Sequence, residues 1–203
     1  MIAAADALAR LREGNRRFVT DQAAPRGLDS QARRELVSGQ EPFAIILGCS
    51  DSRVPSELVF DQGFGDLFVI RVAGNIVAPS QVGSIEFAAA YFGTKLVVVM
   101  GHEQCGAITA AVADLEGAGS SSPNLRSIVD RVRPSVQTVM AVRPDADRAT
   151  IMREAIRANV RVSTNHLRHG SAMLERMIQE DGMMVVGAEY SLRTGVVDFF
   201  DGV

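Results

Sequence analysis

Only two cysteines occur in the 203-residue chain, no apolar stretch approaches the length of a membrane span, and no block of like charge interrupts it. Each scarcity excludes something. Two cysteines cannot build a disulfide-rich scaffold. They could form one disulfide, but no export signal argues for an oxidising compartment: the opening MIAAADALARLREGNRRF carries Asp6 within its apolar part. Thiolate chemistry or metal binding is then the better use of the pair. A spanning helix needs about 20 apolar residues, and none is present. The net charge of −3 is too small to argue for nucleic acid or a membrane surface. These features point to the cytosol.

What the chain does contain is ordinary globular material, 47% hydrophobic and 22% charged, at a length suited to one domain over residues 1–203. Residues 3–19 read as a helix with Leu8, Leu11 and Phe18 on one side. Gly14 weakens it locally. A loop at 21–30 and a short helix to about Ser38 follow. Continuous apolar runs at 43–48, 66–72, 95–101 and 182–190 have the length and Val/Ile content of fully buried strands. Helical segments around 55–61 and 80–92 separate the first three. That alternation predicts an α/β fold: a mainly parallel central sheet flanked by helices, with right-handed crossovers. Further helices are predicted at 105–116, 124–141, 147–168 and 171–180, with Pro134 expected to kink or divide the second of them. GAGSSSP (117–123) reads as a surface loop. The tail reads as a hairpin: strand 183–190, a turn near Arg193-Thr194-Gly195, and strand 196–200.

Cys49 ends the first apolar run, in GCSDSR, and His102 and Cys105 follow the third, in GHEQCG. Ligands of open α/β sheets gather beyond the carboxyl ends of strands, so these two ends can meet. Cys105 would also stand at a helix N-terminus, which favours its thiolate. Two thiolates and an imidazole suit Zn²⁺, and three protein ligands leave a position for water or substrate. Asp51 is placed to accept a hydrogen bond at that open position, and Arg53 to pair with Asp51 and keep it ionised. Each residue also has a plainer reading. The cysteines and histidine could be core residues, Asp51 a helix cap, and Arg53 a surface ion pair. His166 and His169, in HLRH, could mark a second metal, though surface or packing histidines are commoner.

Together, GCSDSRVPSE (48–57) and GHEQCGA (101–107) resemble the paired signatures of β-class carbonic anhydrases. The resemblance extends through EGNRRF (13–18), SGQEPFAIIL (38–47), FDQGFGDLFVIRVAGN (60–75) and GSIEFA (83–88). It implies zinc held by Cys49, His102 and Cys105, with Asp51 and Arg53 as the catalytic dyad. Gln40 is implied as a substrate-binding residue, often from a neighbouring subunit. Phe68, Ala73 and Phe87 would wall a carbon dioxide pocket, and Gly106 would bring its backbone to the substrate. The implied reaction is reversible hydration of carbon dioxide to bicarbonate and a proton, by attack of zinc-bound hydroxide. The implied fold is four parallel strands plus an edge strand, in a homodimer or dimer of dimers. The arm at 1–38 would pack its helix on the partner.

The chain departs from the pattern in places. Phe87 stands where tyrosine is common, and Ala73 where valine is common. The bicarbonate-binding switch of some members uses a tryptophan where this chain has Ile46, and the chain contains none. Arg71 and Tyr190 match the other two positions of that pocket. With Gln40 present, the expectation is an open zinc site in which Asp51 pairs with Arg53. Two alternatives stay open: a carbonyl sulfide or carbon disulfide hydrolase on the same scaffold, and a non-catalytic zinc or bicarbonate-sensing module.

Overall fold

In the computed structural model, which describes residues 2–24, 27–119 and 122–203, the four apolar runs become the four parallel strands of one sheet. They are β1 (Ala44–Gly48), β2 (Leu67–Arg71), β3 (Leu96–His102) and β4 (Met184–Tyr190). Every residue of β1 and β3 is buried, as a strand covered on both faces requires. A fifth strand, β5 (Val197–Asp201), runs antiparallel beside β4 through the predicted hairpin. The order is β2-β1-β3-β4-β5. From β1 the chain crosses to one side to form β2, then returns to the other side to form β3. The crevice where such a sheet changes direction therefore opens at the carboxyl ends of β1 and β3.

Among the described residues, eight α-helices surround this sheet: α1 (Ala4–Val19), α2 (Ser30–Glu35), α3 (Ser56–Val59), α4 (Pro79–Phe92), α5 (Gly106–Leu115), α6 (Pro123–Val142), α7 (Arg148–His169) and α8 (Ala172–Glu180). Their ends follow local chemistry. Asp29, Ser122, Asp147 and Ser171 cap α2, α6, α7 and α8 by accepting backbone N–H bonds from the first turn. Of the two predicted loops, residues 25–26 and 120–121 lie outside the described residues.

Of the two outcomes expected at Pro134, division does not occur: α6 runs unbroken from Pro123 to Val142. Its buried face carries Val129, Val132, Val136 and Val139, whereas Pro134 is exposed, where solvent can meet the carbonyl its ring leaves unpaired. The apolar stripe of α1 packs within the chain. Ala4, Ala7, Leu8 and Leu11 are buried in the chain's own core with Phe43, Phe60 and Met100. Buried Asn15 fixes the docking: its Nδ2 donates to the Val59 and Gly195 carbonyls at 3.1 and 2.8 Å, and its Oδ1 accepts from the Val197 amide at 2.9 Å.

Gly14 is what lets α1 lie this close. A Cβ there would collide with the Phe60 carbonyl and come within 3.0 Å of Gln62 Nε2. Helix preference alone favours alanine by about 1 kcal/mol. A collision with backbone cannot relax like one with a side chain, and such overpacking costs about 1–3 kcal/mol. Gly14→Ala is therefore expected to lower stability in a urea melt; a variant as stable as wild type would contradict the close contact.

Candidate metal centre

The carboxyl ends of β1 and β3 bring three metal donors together. Cys49 follows β1, His102 closes β3, and Cys105 is the residue on which α5 begins. The two sulfurs and an imidazole nitrogen all lie within 4.8 Å of one another, and all three residues are buried. Between His102 and Cys105 the backbone reverses sharply, with Gln104 in the left-handed region at φ 55°. That reversal turns Cys105 back toward Cys49. His102 Nδ1 faces the Glu103 carbonyl at 2.8 Å and so carries the proton. Nε2 is left with a free lone pair, fully buried and without a hydrogen-bond partner. A buried polar atom in that condition is costly unless something binds it. Two sulfurs and one imidazole nitrogen are the donor set that Zn²⁺ takes, so the residues fit the metal that the sequence implies.

Backbone groups support the sulfurs. The Gly74 amide donates to Cys49 Sγ at 3.4 Å. The Ala107 and Ile108 amides, in the first turn of α5, favour the charged form of Cys105. Arg71 donates from Nε to the Cys49 carbonyl at 3.1 Å and from its terminal nitrogen to the Asp51 carbonyl at 2.6 Å, which pins the segment carrying both residues.

The two thiols titrate as a pair. Cys49 is pushed below the usual thiol range, first by a hydrogen bond from Cys105, which outweighs burial. Cys105 is pushed up, chiefly by holding that proton toward Cys49 and then by burial. Burial works against a charged His102, but the Cys49 sulfur beside it turns the net shift upward. Cys49 is thus the readier thiolate of the two, and a metal would displace the proton on Cys105.

Asp51 stands beside this cluster, its Oδ2 3.9 Å from His102 Nε2. Arg53 grips it at both oxygens, with Nε to Oδ1 at 2.9 Å and the terminal nitrogen to Oδ2 at 2.7 Å, and adds its own amide to Oδ1 at 3.0 Å. That fork holds the Asp51 carboxyl well below the usual carboxylate range.

The other predicted residues divide into two groups. Ala73 adjoins Gly74 in a three-residue turn beside Cys49, and a Cβ added at Gly106 would meet only open space. By contrast, Gln40 is exposed ahead of β1, at the opposite end of that strand from Cys49. Phe68 and Phe87 belong to an aromatic cluster with Phe92 and Tyr91 along the edge strand β2, their own ring centres 6.3 Å apart. Ile46 is fully buried in the same apolar core as Tyr190, and Arg71 is committed to backbone carbonyls. His166 and His169 lie in the last turn of α7; among the described residues, Cys49, His102 and Cys105 form the group placed to hold a metal. The sequence reading missed Gly74, whose amide meets Cys49. Its only signal was a glycine shortly after a strand, in a segment already similar to the family.

Comparison with known proteins agrees. The family model described as carbonic anhydrase matches residues 44–197. Carbonic anhydrase 2 of Mycobacterium tuberculosis is 36% identical over 185 residues, covering 91% of this chain and 87% of that protein. The crystal structure of the β-carbonic anhydrase CafA of Aspergillus fumigatus superposes with a TM-score of 0.77 at 25% identity, covering 98% of this chain and 91% of that one. One of two tetrameric β-carbonic anhydrases from Sordaria macrospora gives a TM-score of 0.71 at 26% identity, covering 83% of this chain and 85% of that one. With the signatures, the sheet order and the donor cluster in agreement, the chain belongs to the β-class carbonic anhydrases.

Proposed function

We propose that the chain catalyses reversible hydration of carbon dioxide to bicarbonate and a proton, using a zinc ion held by Cys49, His102 and Cys105. The observation that carries this reading is the buried, unpartnered Nε2 of His102 gathered with two sulfurs. When bound, zinc supplies Lewis-acid activation of water near neutral pH. The residues supply the rest. Two thiolates and a neutral imidazole cancel the ion's formal charge, so the neighbours of the open position matter. Asp51, kept ionised and turned by Arg53, accepts a hydrogen bond there. The Gly106 amide, at the start of α5 with no side chain to block approach, is a donor for charge developing on substrate oxygen. Ala73 keeps the neighbouring wall small.

Gln40, Phe68 and Phe87 reach the site from a second copy of the chain. β1 spans five residues, roughly 16 Å at strand rise, and separates Gln40 from its own Cys49. Phe87 and Tyr91 are 47% and 77% exposed beside β2, an edge that a partner can cover. A homodimer or dimer of dimers follows from this. The site works in its open form, because both Asp51 oxygens are engaged by Arg53 and Ile46 fills the place of the switch tryptophan. The two cysteines are free, which suits the reducing cytosol.

Cys49→Ser is expected to lose zinc as measured by elemental analysis, and full metal content in that variant would sink the ligand assignment. Asp51→Asn should keep zinc yet lose hydration by about 100-fold or more in stopped flow; unchanged activity would remove Asp51 from the mechanism. In the same preparation, hydrogen sulfide release from carbonyl sulfide in place of carbon dioxide hydration would make the chain a hydrolase instead. Since Cys105 is pushed up and holds a proton that a metal must displace, zinc affinity in chelator competition should fall as pH falls. An affinity independent of pH would contradict that displaced proton.

A further inference from the structure

We propose that Asn159 and Ser163, on the buried face of α7, are positioning residues for the metal ligand Cys49, acting through the Gly74 amide. The inference rests on the zinc reading above, and neither residue touches the metal donors.

The buried face of α7 is mostly aliphatic: Ile151, Ala155, Ile156, Val160 and Leu167. Asn159 and Ser163 interrupt it at 2% and 3% exposure. A buried amide or hydroxyl costs stability unless it is paired, and an aliphatic residue at either place would avoid that cost. Both are paired to one short turn. Asn159 Nδ2 donates to the Gly74 carbonyl at 2.8 Å, and Ser163 Oγ donates to the Asn75 carbonyl at 3.1 Å.

That turn needs holding. Gly74 and Asn75 are consecutive left-handed residues, at φ 72° and 44°. Asparagine enters that region more readily than most side-chain-bearing residues, yet two such residues in a row still make a tight turn that its neighbours must fix. Val72 anchors the turn to β1 by donating to the Gly48 carbonyl at 3.1 Å, and the Asn75 amide closes it on the Val72 carbonyl at 3.0 Å. A Cβ at Gly74 would lie 2.8 Å from the Ala107 Cβ, so α5 closes the turn from its other side. With these contacts in place, the Gly74 N–H points at Cys49 Sγ.

A hydrogen bond to a thiolate ligand draws electron density from the sulfur and leaves the metal more electrophilic. With two thiolates on one ion, this is a lever on metal reactivity. Thr164, the next polar residue on the same face of α7, bonds instead to Asp201 of β5 at 2.9 Å. It provides a matched control for the loss of a buried hydrogen bond from this helix.

The test compares Asn159→Leu, Ser163→Ala and Thr164→Val with wild type, reading zinc affinity by chelator competition, the charge-transfer band of the cobalt-substituted protein, and the pH midpoint of hydration. Asn159→Leu should bind zinc roughly tenfold more weakly than Thr164→Val. Its thiolate-to-cobalt band should move to longer wavelength and its pH midpoint upward. Ser163→Ala should move the same way by less, and it carries the test if Asn159→Leu does not fold. Folded variants with the band, affinity and midpoint of Thr164→Val would overturn the positioning role and leave the proposed reaction standing. Wild-type protein that takes up no metal would overturn both.

Discussion

The cluster of metal donors depends on one constraint: β1 and β3 lie side by side and parallel, with their carboxyl ends close together. The register pairs Gly48 with Met100, so Cys49 emerges from one strand beside Gly101, and His102 follows at once. Gly101 is itself tightly enclosed, since a Cβ there would lie 2.8 Å from the Val160 Cγ2. A slip of one residue in this pairing would send Cys49 or His102 to the other face of the sheet. The fully buried aliphatic residues of β1 and β3 prevent that slip, because it would turn core side chains out of their packing. The hydrophobic core is in this sense what aligns the donors.

Around the donors, apolar packing and directed polar bonds have different tasks. Cys49 and Cys105 sit in a cluster with Ile76, Ile108, Val132 and Ile156, drawn from the turn after β2 and from α5, α6 and α7. This shell excludes water from the sulfurs and strengthens every electrostatic contact inside it. The polar bonds set direction: Glu103 orients the imidazole, Arg71 fixes the Cys49–Asp51 backbone, and Arg53 turns Asp51. Each of the three acts on a group that would otherwise be free to rotate. Asp51 stands beside the donors, and a Cβ at Gly106 would meet only open space.

Much of this was legible in the sequence, and the limits are physical. Continuous aliphatic runs announce buried strands, so the four parallel strands and their order of appearance could be read directly. The donors were legible because paired signatures fix both their identity and their place after strand ends. The docking of α1 was not legible, since an apolar stripe on residues 3–19 says that something covers the helix but not which surface. Nor was the fate of α6, because Pro134 breaks a helix or rides on it according to which face it occupies. Asn159 was out of reach for a different reason. Its partner Gly74 is 85 residues away, and a lone asparagine in a helix has no periodicity to betray it.

Everything proposed for this chain turns on whether Cys49, His102 and Cys105 hold a zinc ion with one further position left for water or substrate. Zinc K-edge X-ray absorption on the purified protein near neutral pH tests it most directly. The account predicts one zinc per chain with two sulfur ligands at about 2.3 Å and two nitrogen or oxygen ligands at about 2.0–2.1 Å, one of them exchangeable by added anions such as azide. A shell closed by four non-exchangeable protein ligands, or a protein that binds no stoichiometric metal, would contradict it.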